Sequence, residues 1–352
     1  MVDIYILSID GSVKDYAHFF FAVLIPFIIY LSNNIEKEIN FQTNLGNMIN
    51  KLNDIFPNIK ITNNYTIEKS LIRFNYDLYK EIKTNNKNQI ILLEAFDIFN
   101  QKYFENVNLS CLEKMLKEKY FILNRKYEKI KKYTTKYIKI KNYQPIIHNY
   151  FENILITKKL KLQNKKIILI KRKRPKIFES NFNNAHSGQR RFIYNFKKLK
   201  AALKEYFGND LIVLNLDNMH LLHQYFYFSN AQLVIAQHGA GLCNIYFMKK
   251  NTNVLEITPF YDNYWFRNLS DCCNLNYYNV EQSMMTYKQA YKFFSSIYTD
   301  IDANFLNKIK SICNNKIHHD MFWLKSMEEI LIENSGNVNI NKVLSIIKNI
   351  RI

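Results

Sequence analysis

Cysteine, glycine and proline are all scarce here: five, seven and five in 352 residues. The cysteine count is odd, no Cys-x-x-Cys pair occurs, and the spacing fits no zinc site. A disulfide-stapled secreted domain is therefore excluded. The thiols of Cys111, Cys243, Cys272, Cys273 and Cys313 read as reduced and structural, in a cytoplasmic protein. Long apolar runs are missing too. His18 to Leu31, HFFFAVLIPFIIYL, falls short of the roughly 20 residues a membrane span needs, and Pro26 interrupts it. Ahead of it stand Asp3, Asp10 and Asp15 against Lys14, where a secretory signal would carry positive charge. The run reads as a buried helix, with neither signal peptide nor transmembrane segment. On that reading the sequons at Asn64, Asn108 and Asn268 never meet a glycosylation machinery.

Acidic residues are also outnumbered. There are 30 Asp and Glu against 49 Lys and Arg, a net charge of +19. The heavy use of Asn, Ile, Lys, Tyr and Phe is what an AT-rich genome produces, and giant DNA viruses and some protists have such compositions. Lysine spread over solvated faces accounts for the charge on those terms. A polyanionic partner, whether nucleic acid, acidic glycan or nucleotide diphosphate, is the other reading. Apolar residues make up 48% and aromatics 15%, ample for packed cores.

The chain opens with a strand candidate, VDIYILSI, a turn at Asp10-Gly11-Ser12, and the apolar helix. QIILLEAF comes further on, and residues 111–137 have the spacing of a basic amphipathic helix. Pro145 marks a break before the helix candidate HNYFENILITKKL. After about residue 160 the alternation is regular: strand KIILI, helix Phe192 to Phe207, strand DLIVLNL, helix Met219 to Ser229, strand Ala231 to Gln237, a turn and helix from His238, and strand NVLEI. Apolar strands alternating with helices mean a parallel sheet covered on both faces. The pattern divides the chain into residues 1–160, 161–290 and a helical C-terminal segment, 291–352.

Two of the few glycines sit together in AQLVIAQHGAGLCNIYFM, Ala231 to Met248. Gly239 and Gly241 occupy the turn after a buried strand, at the strand's carboxyl end, where open α/β sheets bind ligands. A bare backbone there allows a sharp bend and close approach of a ligand. The N–H groups at the start of the next helix then face an anion. His238 is either a donor to that anion or to a sugar hydroxyl, or a core histidine in a tight turn. The string is not a dinucleotide fingerprint, because Asn244 stands at the third small position.

The wider string resembles glycosyltransferase family 61. HGAGLCNIYFM is similar to that family's H-G-A-G-L-T-N-x-x-F-M signature, and NVLEITPF and FRNLSDCCNLNYY are similar to its downstream strand and helix segments. KIILIKRKRP…RRFIYNFKKLKAAL and HLLHQYFYFSNAQLVIAQHGAG resemble its upstream blocks, and DYAHFFFAVLIPFIIYL its N-terminal helix. Cys243 stands for a threonine, Phe196 follows Asn195 where a glutamate is usual, and His223 replaces the glutamate before Gln224. The resemblance implies a GT-B architecture: two Rossmann-like α/β domains with parallel sheets facing across a cleft, one for the acceptor and one for a nucleotide sugar. It implies an inverting transfer from a UDP-sugar, such as UDP-xylose or UDP-N-acetylglucosamine, to a glycan or glycoprotein hydroxyl.

Chemistry narrows the candidates. A departing nucleoside diphosphate gathers negative charge, which a metal or fixed donors must stabilise. Arg172, Arg190 and Arg191 supply cations, and His238, Gly239, Ala240, Gly241, Leu242 and Asn244 form the turn that would hold the phosphates. No metal or other cofactor is expected. Glu256, closing the next strand, either accepts ribose hydroxyls or forms a strand-end salt bridge. The acceptor's proton needs a base. His18, which matches the family's histidine, and Asp15 are the candidates. Asp300-Ile301-Asp302 looks like a metal-holding D-x-D string but lies in helical pattern and reads as helix-capping acids. His318-His319 lacks further ligands. Two other functions fit the sequence: a nucleic-acid-binding protein, on the strength of KRKRPK at 171–176, and an inactive relative of the transferases.

Overall fold

The computed structural model describes residues 2–7, 16–32, 35–42, 45–63, 89–93, 143–158, 166–172, 191–259, 265–298, 301–314 and 326–350. The amphipathic pattern at 111–137, the turn at Asp10, Arg190, Asp15, Asp300 and the His318-His319 pair lie outside them. The chain forms two compact units, Met1–Leu162 with His220–Phe226, and Gln163–Met219 with Tyr227–Ile352. The division thus passes through the helix Leu221–Ser229.

In the first unit, β1 (Val2–Leu7), β2 (Glu38–Phe41), β3 (Lys60–Thr62) and β4 (Gln89–Leu93) form a parallel sheet in the order β3-β2-β1-β4. The apolar run at its N-terminus is helical from Tyr16 to Leu31, with every side chain from Phe19 to Tyr30 buried. Pro26 has no N–H for the helical ladder, and just ahead of it the helix widens to a π turn over Phe20–Leu24, with Ile25 N–H donating to Phe20 O. Phe27 meets Phe41 and Phe56 edge-on. Pro145 starts the helix Gln144–Thr157 in its first turn, where a missing N–H costs nothing. From that helix Phe151 stacks on Tyr225 and His148 bonds the Tyr225 hydroxyl at 2.9 Å.

In the second unit, β5 (Lys166–Ile170), β6 (Leu211–Leu214), β7 (Ala231–Gln237), β8 (Asn253–Thr258) and β9 (Asn276–Glu281) form another wholly parallel sheet, ordered β6-β5-β7-β8-β9. Alternation sorts its side chains. Ile167, Leu169, Leu233, Ile235, Leu255, Ile257 and Val280 share one face, packed with Leu199, Leu203, Val343 and Ile347 from the helices Phe196–Phe207 and Ile340–Asn349. Glu256 and Tyr277 therefore point to the opposite face. Both sheets are parallel throughout, as the family resemblance implies, and the described part of the C-terminal segment is mainly helical, as its pattern suggested.

One helix starts later than the sequence pattern suggested, at Phe196 rather than Phe192. The preceding residues are held by the C-terminal segment instead. Phe192 N–H donates to Ser335 Oγ (3.0 Å) and Tyr194 N–H to Gly336 O (2.7 Å). Asn195 bonds both the carbonyl and the N–H of Val338, each at 2.9 Å. Asp302 accepts the Phe305 N–H at 2.7 Å and so caps the helix Ala303–Asn314, the helix-capping role expected of it.

Candidate active site

The turn after β7 has a geometry only glycine tolerates. Gly239 sits at φ 150° and ψ 175°, a region closed to side chains. A Cβ there would also run into the guanidinium of Arg172. At Gly241 the backbone is ordinary, and an added Cβ would meet Leu216 Cδ1 at 3.0 Å rather than open space. The next element is a 3-10 helix, Ala240–Phe247, not the α-helix expected. Its first bond runs from Leu242 N–H to Gly239 O at 2.8 Å. The N–H groups of Gly239, Ala240 and Gly241 precede that bond, three where an α-helix leaves four.

Two arginines converge on this turn. Arg172, just past β5, donates through Nη1 to His238 O at 2.9 Å, and Arg191 donates to the same oxygen at 3.3 Å. Arg191 has no carboxylate partner among the described residues, and its buried Nε donates to nothing. A guanidinium held by one carbonyl has strong donor capacity to spare for an anion.

His238 itself is 6% exposed, with its ring against Phe266. Its Nδ1 lies 2.5 Å from Glu256 Oε1, and the other carboxylate oxygen accepts the Tyr277 hydroxyl at 2.6 Å. Burial holds the imidazole below the usual histidine range. Arg191 and Arg172 push the same way, and the bond and charge of Glu256 oppose them. Tyr277 is raised well above the ordinary phenol range, first by burial and then by Glu256. A proton on Nδ1, toward the carboxylate, completes that bond.

Two of the sequence candidates, Glu256 and Asn244, are engaged within the protein itself. Glu256 is 0% exposed with both oxygens engaged, so in this structure its carboxylate holds His238 and Tyr277 instead of facing ribose hydroxyls. Asn244 is likewise fully buried, and its amide donates to Gly241 O at 3.1 Å. It fixes the turn from beneath, while Leu242 belongs to the core. Gln237, on the opposite face from His238, joins Gln282 at 2.7 Å and the Asn334 carbonyl at 3.1 Å. Sequence reading missed Tyr277, though it stands within the FRNLSDCCNLNYY block. In the first unit, His18 is half-buried on the N-terminal helical run, and Gln224 accepts the Tyr16 hydroxyl at 3.1 Å. The departure at His223 falls on an exposed position.

The glycosyltransferase 61 family model matches residues 16–255, more than half of the 352-residue chain. The chain belongs to glycosyltransferase family 61. No curated protein matches it. Among solved structures it is similar to the crystal structure of the glycosyl transferase family 9 from Veillonella parvula DSM 2008, at 10% identity over 99% of this chain and 96% of that one, with a TM-score of 0.31. Cys243, Cys273 and Cys313 are free thiols, and burial raises those of Cys243 and Cys273 far above their usual range. Among the described residues no three His, Cys, Asp or Glu side chains gather as a metal-ligand set, and no helix is long and apolar enough to cross a membrane.

Proposed function

We propose that this transferase moves a sugar, with inversion, from a UDP-linked donor to a hydroxyl of a glycan or glycoprotein in the cytoplasm. The observation that carries the proposal is the convergence of Arg172 and Arg191 on the carbonyl of His238, beside a turn only glycine can make. The acceptor oxygen bonds to the anomeric carbon as the bond from that carbon to the diphosphate oxygen breaks. The electron pair leaves on the diphosphate. Two guanidiniums and the N–H groups of Ala240 and Gly241 are placed to stabilise that charge, the task a divalent ion performs in other transferases. The acceptor's proton goes to a base, for which His18 is the leading candidate, with Asp15 just ahead of it in sequence.

Calorimetric titration with UDP tests the donor site. Arg191→Ala should weaken binding about 10- to 150-fold, the equivalent of one charge-assisted contact worth about 1.5–3 kcal/mol. Binding of duplex DNA at the same salt should barely change. Turnover of UDP-sugars should survive EDTA. Unaltered UDP affinity in a folded Arg191→Ala protein would overturn the assignment. Loss of turnover in EDTA with recovery in Mn²⁺ would overturn its metal-independent form.

A further inference from the structure

The chain of contacts Tyr277–Glu256–His238 spans two neighbouring strands and ends at the glycine turn. Tyr277 stands on β9 and Glu256 on β8, on the same face of the sheet, with the phenol hydroxyl donating to one carboxylate oxygen and the imidazole Nδ1 meeting the other. A carboxylate with two fixed donors has lost its freedom to rotate, so it dictates which ring nitrogen of His238 bears the proton. The proposed transfer does not by itself require any role for Tyr277.

We propose that Tyr277, acting through Glu256, fixes the His238 imidazole with its proton on Nδ1, so that Nε2 meets the donor as an acceptor for a hydroxyl and not as a donor to its phosphates. The inference rests on the reading of this turn as the donor site. It assigns the two functions of that site to different groups: the arginines take the diphosphate, and the histidine takes a hydroxyl of the ribose or of the transferred sugar. Tyr277 and Glu256 are positioning residues in this scheme. The charged and titratable groups around the ring fit the assignment. Glu256 approaches from β8, Arg172 from the end of β5, and Arg191 from ahead of the helix Phe196–Phe207. Arg267 and Asp271 of the helix Trp265–Cys272 act on Tyr277 with opposite signs. An imidazolium among two guanidiniums would be opposed by both, whereas the neutral Nδ1–H form is not.

Tyr277→Phe keeps the ring and removes only the hydroxyl, and Glu256→Gln keeps the shape and removes the charge. Ring nitrogen NMR on protein labelled with ¹⁵N-histidine, assigned with His238→Asn, reads tautomer and protonation without any ligand. Wild type should show His238 as the Nδ1–H form from pH 8 downward. In Tyr277→Phe the carboxylate loses a donor and leans more on His238, so the ring should protonate about one pH unit higher than in wild type. In Glu256→Gln it should protonate lower than in wild type. Shifts in opposite directions support the relay; no shift in Tyr277→Phe, or shifts of the same sign, overturn it. The second arm titrates UDP, 2′-deoxy-UDP, 3′-deoxy-UDP and UDP-N-acetylglucosamine. If Nε2 accepts from the ribose, Tyr277→Phe should lose about tenfold in affinity for UDP and little for the matching deoxy analogue. If it accepts from the sugar, the loss should be confined to the UDP-sugar. Equal losses for all four overturn the hydroxyl assignment. Absence of UDP binding in wild type would refute the donor-site reading, and the ring-nitrogen results would still judge the relay.

Discussion

Gly239→Ala puts the donor-site geometry to its most demanding test, because two separable penalties fall on one methyl group. The first is conformational. At φ 150° and ψ 175° a residue with a Cβ is strained by about 1–3 kcal/mol. In a protein unit of this size each kcal/mol lowers the melting temperature by about 2–4 °C, so a loss of about 2–12 °C is expected. The second penalty is positional. The new methyl would overlap Arg172 Nη1, and Cζ and Nη2 would lie only 3.0 and 3.2 Å away. The guanidinium must leave, breaking its 2.9 Å bond to His238 O and vacating the place from which it is proposed to meet a diphosphate. Removal of one charge-assisted contact predicts a fall in UDP affinity of roughly 10- to 150-fold. A double-mutant cycle separates the two penalties. In an Arg172→Ala background the strain persists while the collision is gone. Gly239→Ala should then still lower the melting temperature but change UDP affinity little further. Melts and calorimetric titrations of the four proteins at one salt concentration provide the comparison. If Gly239→Ala binds UDP as wild type does while Arg172→Ala does not, the turn does not place the arginine, and the reasoning fails.

Two further predictions concern stability. His238 has a folded-state proton affinity depressed chiefly by burial, so its contribution to stability is complete above the unfolded histidine value of about 6.5 and is lost as pH falls below it. Melts between pH 8 and 5 should show this acid limb, and it should be shallower in His238→Asn, which keeps an N–H for Glu256; His220 is also depressed and adds to the limb in both proteins, so only the difference is diagnostic. Gly336→Ala would drive a methyl into the Ser283 carbonyl, with Met284 C only 2.9 Å away. Overpacking against backbone costs about 1–3 kcal/mol, and UDP affinity should fall with stability because Ile193 and Tyr194, two and three residues after Arg191, pair with Gly336. An unchanged melt for that variant would contradict the close approach.

The sequence exposed the second unit's sheet well, because KIILI, AQLVIAQ and NVLEI are continuous apolar runs that a two-sided burial demands. It left β2 and β3 hidden, since EINF and KIT are too short and too polar to stand out. The glycine turn and both its described arginines were legible from residue type and strand ends. The partners of Glu256 were not. Alternation reveals which face a side chain takes, but not that a tyrosine one strand over will occupy its second oxygen. Nor does residue type reveal the bond of Asn244: a polar residue in a binding motif reads as a ligand contact, and here its amide donates to the carbonyl of Gly241. The late start of the helix at Phe196 had no local signal at all. The competing partner for residues 192–195 lies 143 positions away in the case of Phe192 and Asn195.

That last separation has a consequence for the order in which the protein is made. Synthesis runs from the N-terminus, and the strands β5 to β9 are all in hand once Glu281 has emerged. The segment Asn334–Val338, which satisfies Phe192, Tyr194, Asn195, Gln237 and Gln282, arrives more than fifty residues later. Until then Phe192, Tyr194 and Asn195 lack these partners, and Gln237 and Gln282 have each other but not the Asn334 carbonyl. A nascent chain with its sheet already paired thus still lacks the contacts that hold the residues after Arg191, and on the proposed reading of the glycine turn its donor site is completed last. A fragment cut at the end of the family-matched region, residue 255, would contain nearly all the recognisable motif residues and none of the clasp that arranges them.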